Sequence, residues 1–297
     1  MLPKILAIEG PTASGKSELG VLIAQKYNGE IISADSRQVY KGLDIATGKI
    51  TKNEMLGVPH HLLDIADLKE QYTVSHFKRD AEKVIEDILS REKLPILCGG
   101  TAQYLDAVTE NFITPETKPD KKLRRELDAK STDELFSVLQ KLDPIRAQNI
   151  DRHNPRRLVR AIEIVRAEGS VPKISETPKK YNVLKIGIMT DKETLRTCIQ
   201  ARVEKRLKQG MIEEAKKLHE KGLTFERMDT LGLEYRYLAK YLEEKITKET
   251  MKEKIFFKDW QYAKRQMTWL KRDPKIHWFS LSDQEAIFSL IEKFLHA

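Results

Sequence analysis

Cysteine is nearly absent from this 297-residue chain, with Cys98 and Cys198 the two present. Two thiols cannot build a disulfide scaffold or a four-cysteine zinc site, so nothing here points to secretion. Long apolar runs are lacking too: none approaches the roughly 18 residues that a membrane helix needs. The opening residues, Met1 to Gly10, read as a strand and not as a signal peptide. There is no internal repeat and no low-complexity tract. What is present is 40% hydrophobic and 33% charged residues, apolar material enough for a sizeable core, which argues against global disorder. The length lies near the upper limit for one core, so the expectation is one large domain or a core plus a smaller one. A soluble cytoplasmic protein is the default.

The net charge of +8 is unevenly spread. Residues 1–117 hold 13 basic and 17 acidic side chains, whereas residues 118–297 hold 40 basic and 28 acidic ones. The second part therefore carries the whole positive excess, which suggests a polyanionic partner. A set of solvated basic helices accounts for the charge alone equally well.

Ile5-Leu6-Ala7-Ile8 is a short apolar run ending at Gly10 and reads as a buried parallel strand. Ser17 to Tyr27 follows as a helix with Leu19, Leu22, Ile23 and Lys26 on one face. Glu30 to Ala34 reads as a second strand ending at Asp35, Thr73 to Glu92 as an amphipathic helix, and Leu94 to Cys98 as a strand cut off by Gly99-Gly100. Alternating strands and helices predict an α/β parallel sheet with ligands at the strand carboxyl ends. Beyond Asn111, Pro115, Pro119, Pro144, Pro155, Pro172 and Pro178 punctuate charged helical stretches, and Val183 to Met189 looks like a strand returning to the sheet. Residues 115–180 are therefore a candidate helical insertion, with residues 1–114 and 181–297 forming the core. Asp191 to Arg272 is again helical in pattern.

Gly10-Pro11-Thr12-Ala13-Ser14-Gly15-Lys16-Ser17 matches the phosphate-loop pattern and sits between a strand and a helix, the context that pattern requires. Glycines let backbone N–H groups curl round an anion, and the helix that follows adds its positive end. Lys16 supplies a mobile charge, and the Ser17 hydroxyl can ligate Mg²⁺. This loop binds a pyrophosphate-like group. It does not settle the chemistry. A nucleotide-hydrolysing enzyme needs an acid at the end of a second strand, where this chain offers Gly99-Gly100-Thr101. Asp35 is the acid at a suitable strand end, able to hold metal, to take a proton from a nucleophile, or merely to cap a turn. From these residues alone a nucleoside or nucleotide kinase leads, and a nonenzymatic RNA-binding protein that uses nucleotide as a switch stays open.

Several stretches taken together resemble the tRNA dimethylallyltransferase (tRNA isopentenyltransferase) family of bacterial type. They are the phosphate loop, Ser33-Ala-Asp-Ser-Arg-Gln-Val-Tyr-Lys-Gly-Leu-Asp-Ile45, Pro59-His-His-Leu-Leu-Asp64, Gly99-Gly-Thr101, Asn154-Pro-Arg-Arg-Leu-Val-Arg-Ala-Ile-Glu163, Arg202-Val203 and Gln261-Tyr-Ala-Lys-Arg-Gln-Met-Thr-Trp-Leu270. The resemblance implies a P-loop nucleotide-kinase-like core with a helical insertion that clasps a tRNA anticodon arm. It implies transfer of a dimethylallyl group from dimethylallyl diphosphate to N6 of the adenosine 3′ of the anticodon, with Mg²⁺ assisting, and requires no membrane and no obligate protein partner. It assigns Asp35 as base, Thr12 to the diphosphate or reacting centre, and Arg202 as a phosphate clamp. An enclosed site demands that the adenosine leave its stack. Asp35, Ser36, Arg37 and Gln38 are expected at its mouth, with Thr101 close by. Arg124, and the group Asn154, Arg156, Arg157 and Arg160, are the expected phosphate-backbone contacts in the insertion. Lys264, Arg265, Lys271 and Arg272, interleaved with Tyr262 and Trp269, form a third basic group, Trp269 reading as core. His60 and His61 offer a metal pair, but adjacent side chains point apart, so they read as loop structure near the allyl pocket. Asp44-Ile-Ala-Thr-Gly-Lys49, Ala102-Gln103 and Leu231-Gly-Leu-Glu-Tyr235 depart from the family pattern.

Overall fold

A computed structural model describes residues 2–112, 117, 120–171 and 178–297. Pro115, Pro119 and Pro172, and with Pro115 the expected start of the insertion, lie outside the described residues. The chain divides into two compact units, one of Met1–Glu110 with Lys179–Ala297 and one of Asn111–Pro178.

In the larger unit, β1 (Lys4–Glu9), α1 (Lys16–Lys26), β2 (Gly29–Ala34), β3 (His60–His61), α2 (Val74–Ser90), β4 (Leu94–Gly99) and α3 (Ala102–Thr109) precede the smaller unit. The smaller unit contributes α4 (Lys121–Asp128), α5 (Thr132–Leu142), α6 (Pro144–Gln148) and α7 (Pro155–Glu168). The larger unit resumes with β5 (Asn182–Ile188), α8 (Lys192–Lys208), α9 (Met211–Glu220), α10 (Phe225–Leu231), α11 (Leu233–Leu242), α12 (Lys248–Leu270), β6 (Ile276–Phe279) and α13 (Gln284–His296). The strands form one parallel sheet in the order β3-β2-β4-β1-β5-β6.

Strand alternation divides the core. Leu6 and Ile8 pack with Ile31, Ile96, Ile186 and Ile188 against Leu19 and Ile23 of α1 and Ile287 and Ile291 of α13. Ile5, Ala7, Ile32 and Leu97 face Phe77, Ala81 and Ile85 of α2 and Leu105 of α3. Both sheet faces are therefore covered, as all-parallel sheets require. Two details differ from the sequence-based expectation. In α1 the buried residues include Val21 and Ala24, while Leu22 is half-buried and Lys26 exposed, because the helix lies flat on the sheet and buries a wide face. His60 and His61 are an edge strand paired to β2 at Ile31 and Ile32, and not a loop. β6 is too short, and too close to the polar run after Arg272, to stand out by periodicity. The helices after β5 form their own apolar cluster, in which Met211, Tyr235, Leu238, Met251 and Ile255 meet Val39, Tyr40 and Leu43 from the segment after β2. The smaller unit closes on Leu123, Leu127, Leu135, Leu139, Leu158, Ile162 and Val165.

The last residue of β1 is an anomaly. Glu9 is 1% exposed and its Oε1 has no hydrogen-bond partner among the described residues. Burial pushes its carboxyl up to about 8, against the pull of Lys185, whose Nζ sits 2.7 Å from Glu110 and 2.6 Å from Asp273. The folded state thus holds this proton more tightly than the unfolded chain. Stability from this group is intact below the ordinary carboxyl value and is lost as pH rises toward 8. Glu9→Gln is expected to stabilise the protein by a margin growing at up to about 1.4 kcal/mol per pH unit across that window and level above it. Urea midpoints at pH 5, 7 and 8.5 check this; a pH-independent difference would refute it.

Candidate active site

The carboxyl ends of β1, β2 and β4 open into a cleft with a cavity volume of about 360 Å³, roofed by residues of α8, α11 and α12. At its floor lies the loop between β1 and α1. Ala13 (φ 64°) and Gly15 (φ 83°) both adopt left-handed backbone, the alternation that turns successive N–H groups toward one centre. The left-handed backbone favours glycine at position 15, and its bare Cα leaves room for the Leu281 side chain.

Lys16 lines the cleft and its Nζ donates to the Pro11 carbonyl at 3.1 Å. Arg202, projected from α8, donates through Nη1 to Thr12 Oγ1 at 3.1 Å. Neither cation forms an ion pair with a carboxylate among the described residues. Desolvation lowers the pKa of Lys16, and Arg202 lowers it further; desolvation lowers that of Arg202, and Arg206 adds to it. Two half-buried, mutually repelling cations above a nest of backbone amides are the electrostatic negative of a diphosphate.

Asp35 stands at the end of β2, facing the same cleft. Its Oδ1 accepts from the backbone N–H groups of Arg37 (2.8 Å) and Gln38 (3.3 Å), a turn that fixes the carboxylate. Its Oδ2 accepts nothing among the described residues. Ser36 N–H donates to Thr101 Oγ1 at 3.1 Å, and Thr101 N–H to the Ala34 carbonyl at 3.2 Å, so the turns after β2 and β4 are stitched together. Gln38 Nε2 donates to the Gly48 carbonyl at 3.3 Å, which leaves its Oε1 for another partner. Arg37 reaches the Thr230 carbonyl. Thr12, Lys16, Ser17, Asp35, Ser36, Arg37, Gln38 and Arg202 all line one cavity. His60 also lines it, with Nδ1 against the Val58 carbonyl, and burial lowers its pKa; His61 turns to Glu30 at 2.7 Å instead. Ile31, Ile50, Cys98 and Leu233 supply apolar wall. Burial pushes the Cys98 thiol up to about 11, so it stays protonated.

Three further polar groups line the wall, Glu234, Asp259 and Gln266, and the sequence alone singles out none of them individually as a site residue. Arg206 binds Glu234 (3.0 Å), Asp259 (2.8 Å) and the Ala46 carbonyl, and burial pushes the Asp259 carboxyl upward. Gln266 accepts from the Thr12 N–H at 2.9 Å and donates to the Gly100 carbonyl at 2.7 Å. Asp259 and Gln266 lie seven residues apart on α12, both buried. Polar residues at core positions of a helical period were the available signal.

Among the described residues no group of three or more histidine, cysteine, aspartate or glutamate side chains can hold a metal. The Ser17 hydroxyl and the Asp35 carboxylate are oxygen donors in the cleft. This set fits a Mg²⁺ ion that brings most of its ligands as water and phosphate oxygens.

In the smaller unit several expected RNA contacts have structural duties. The Arg124 fork is engaged by buried Glu163 at 2.7 and 2.8 Å, and Arg160 binds the same carboxylate and the Thr117 carbonyl. Asn154 caps α7, its side chain accepting from Arg157 N–H at 3.2 Å. Arg156 and Arg157 are exposed, with guanidinium groups free of partners among the described residues. On α12 and just beyond it, Lys264, Arg265 and Arg272 lie over Trp260, Tyr262 and Trp269. Trp269 Nε1 donates to Asp106 and is half-buried.

A family model for IPP transferases matches residues 38–273. A tRNA dimethylallyltransferase of Anoxybacillus flavithermus is 37% identical over 298 residues, which cover 99% of this chain and 95% of that one. A full-length tRNA isopentenylpyrophosphate transferase from Bacillus halodurans has a crystal structure similar to this fold at a TM-score of 0.76 and 36% identity, covering 99% and 97% of the two chains. A eukaryotic dimethylallyltransferase captured acting on tRNA reaches a TM-score of 0.86 at 28% identity, over 99% of this chain and 80% of that one. This chain belongs to the IPP transferase family.

Proposed function

We propose that this protein transfers a dimethylallyl group from dimethylallyl diphosphate to N6 of the adenosine 3′-adjacent to a tRNA anticodon, releasing diphosphate. The observation that carries this reading is the pair Lys16 and Arg202, two cations without carboxylate partners among the described residues, set over a phosphate loop and facing the same cleft as Asp35. The relatives named above support the substrates.

The diphosphate binds on the loop amides, Lys16 and Arg202. These groups stabilise the charge that grows on oxygen as the allylic C–O bond breaks. The Ser17 hydroxyl would hold a Mg²⁺ ion beside the diphosphate, where it would supply further charge neutralisation. The adenine amine forms the new C–N bond and passes its proton to Asp35 Oδ2, the carboxylate oxygen left open by the turn. Ile31, Ile50, Cys98 and Leu233 accommodate the hydrocarbon and keep water from the allylic carbon. Ser36, Arg37, Gln38 and Thr101 flank the amine's approach, and Gln38 Oε1 is placed to accept from an adenine edge.

The test is incubation with Mg²⁺, unmodified tRNA and radiolabelled dimethylallyl diphosphate. Label entering the RNA is the expected result. Consumption of ATP with no labelled RNA would replace this reading with a kinase.

The helical unit is proposed to hold the anticodon arm, with Arg156 and Arg157 as its free phosphate ligands. The double change Arg156→Ala/Arg157→Ala is expected to weaken tRNA binding and flatten the plot of log affinity against log salt by about two units, one per lost phosphate contact. An unchanged slope in filter binding would place both residues away from RNA. Arg124→Ala is expected to lower thermal stability as well, because it strips a bidentate partner from buried Glu163.

A further inference from the structure

Gln266 is 6% exposed, and both ends of its side-chain amide are spent on backbone. Its Oε1 accepts from the N–H of Thr12, in the phosphate loop, at 2.9 Å. Its Nε2 donates to the carbonyl of Gly100, in the turn after β4, at 2.7 Å. The first contact reaches the donor side of the cleft, since Thr12 Oγ1 is the acceptor for Arg202. The second reaches the acceptor side. Gly100 leads into Thr101, whose hydroxyl takes the Ser36 N–H one residue from Asp35. A single amide therefore links the Arg202–Thr12 contact on one side to Gly100 on the other, and through the Gly100–Thr101 peptide bond to the Thr101–Ser36 hydrogen bond. The site is built tightly around it: a Cβ on Gly100 would strike Gln266 Nε2.

We infer that Gln266 is a positioning residue that sets the distance between the diphosphate cradle and the Asp35 carboxylate, so that the departing oxygen and the attacking amine are aligned. The inference rests on the prenyl transfer proposed above. Gln266 touches neither substrate in this role. It fixes two backbone segments that do, and in bimolecular chemistry an error of about 1 Å in such a placement costs about a hundredfold in rate. Thr12 N–H is thereby withdrawn from the set of loop amides available to the diphosphate.

Two substitutions separate this role from support of the fold. Gln266→Met keeps length and volume but removes both hydrogen bonds. Its single-turnover rate from the preassembled complex is expected to fall about 100-fold. Affinities for inorganic pyrophosphate and for tRNA, measured separately, stay within about threefold, because the contacting groups remain. Gln266→Glu adds a diagnostic in pH. An ionised glutamate sets two acceptors, its own oxygen and the Gly100 carbonyl, against each other. Protonated, it reproduces the amide: the carbonyl oxygen accepts from Thr12 and the hydroxyl donates to Gly100. The ratio of its rate to that of the unaltered enzyme is expected to rise at least about tenfold between pH 8 and pH 6. The same ratio for Gln266→Met stays flat, since the other ionisable groups of the cleft are the same in every variant and cancel: His60, Cys98, Asp229, Glu234, Asp259 and Tyr262, together with Lys16, Asp35, Arg37, Arg202, Arg236 and Arg265. A Gln266→Met rate within threefold of the unaltered enzyme overturns the inference. So does a flat profile for Gln266→Glu, or a loss that tracks melting temperature and both affinities together. Failure of the unaltered enzyme to label any tRNA would overturn the transfer reading instead.

Discussion

Asp35→Asn is expected to lower the single-turnover rate of prenyl transfer by about two to four orders of magnitude, the size of a positioned general base. Asparagine keeps an acceptor oxygen, so the turn that receives the Arg37 and Gln38 N–H groups persists and the backbone at the cleft is unchanged. What disappears is the basic Oδ2. The adenine amine then has to shed its proton to water in a site that the apolar wall keeps dry. Binding is spared: tRNA affinity is expected within a few-fold of the unaltered protein, because the phosphate contacts proposed for RNA lie elsewhere. Asp35→Ala should behave worse, since it also dissolves the turn. Rapid-quench measurement of labelled tRNA under enzyme excess checks both. Near-normal turnover in Asp35→Asn would remove this residue as the base.

Lys16→Met is expected to weaken donor binding by about two to three orders of magnitude, the cost of truncating one member of a buried, hydrogen-bonded charge pair. Its effect on the empty protein has the opposite sign. Desolvation and Arg202 hold the Lys16 pKa below the ordinary lysine value in the folded state. The unfolded chain therefore binds this proton more tightly, and at any pH below the ordinary lysine value the ammonium costs stability. Removing it should raise the melting temperature of the ligand-free protein. Pyrophosphate, which stabilises the unaltered protein by binding the native state alone, should give Lys16→Met a far smaller increment. Thermal melts with and without pyrophosphate read both effects. A destabilised Lys16→Met that still responds fully to pyrophosphate would contradict the assignment of Lys16 to the anion.

The parts of the site carried by contiguous residues were legible in the sequence. The loop from Gly10 to Ser17 has its function in local backbone geometry, so its spacing suffices. Asp35 was legible for a related reason: a strand whose residues are all buried must end where the carboxyl-end cleft begins. Residues contributed by distant helices were not legible in the same way. Gln266, Asp259 and Glu234 reach the cleft because α11 and α12 fold over the strand ends, and no short-range rule sets that placement. Arg202 came from resemblance, and its contact with Thr12 spans 190 positions along the chain. The basic helices show the converse problem. Charge counting could not reveal that Arg124 and Arg160 spend their guanidinium groups on Glu163, because the acid responsible is itself hidden in the same helical unit.

The strand order has a consequence for biosynthesis. β1 occupies the middle of the sheet, between β4 and β5, yet β5 begins at Asn182. One flank of β1 therefore waits, unpaired, while the residues between Glu9 and Asn182 are made. At about 5–20 residues per second that interval lasts on the order of ten seconds or more. The helical segment from Asn111 to Pro178 is made within it and brings its own leucine-rich core. Nascent chains are thus expected to hold a finished helical module ahead of an open sheet, exposed along the β1 edge to aggregation or to chaperones until Ile188 emerges.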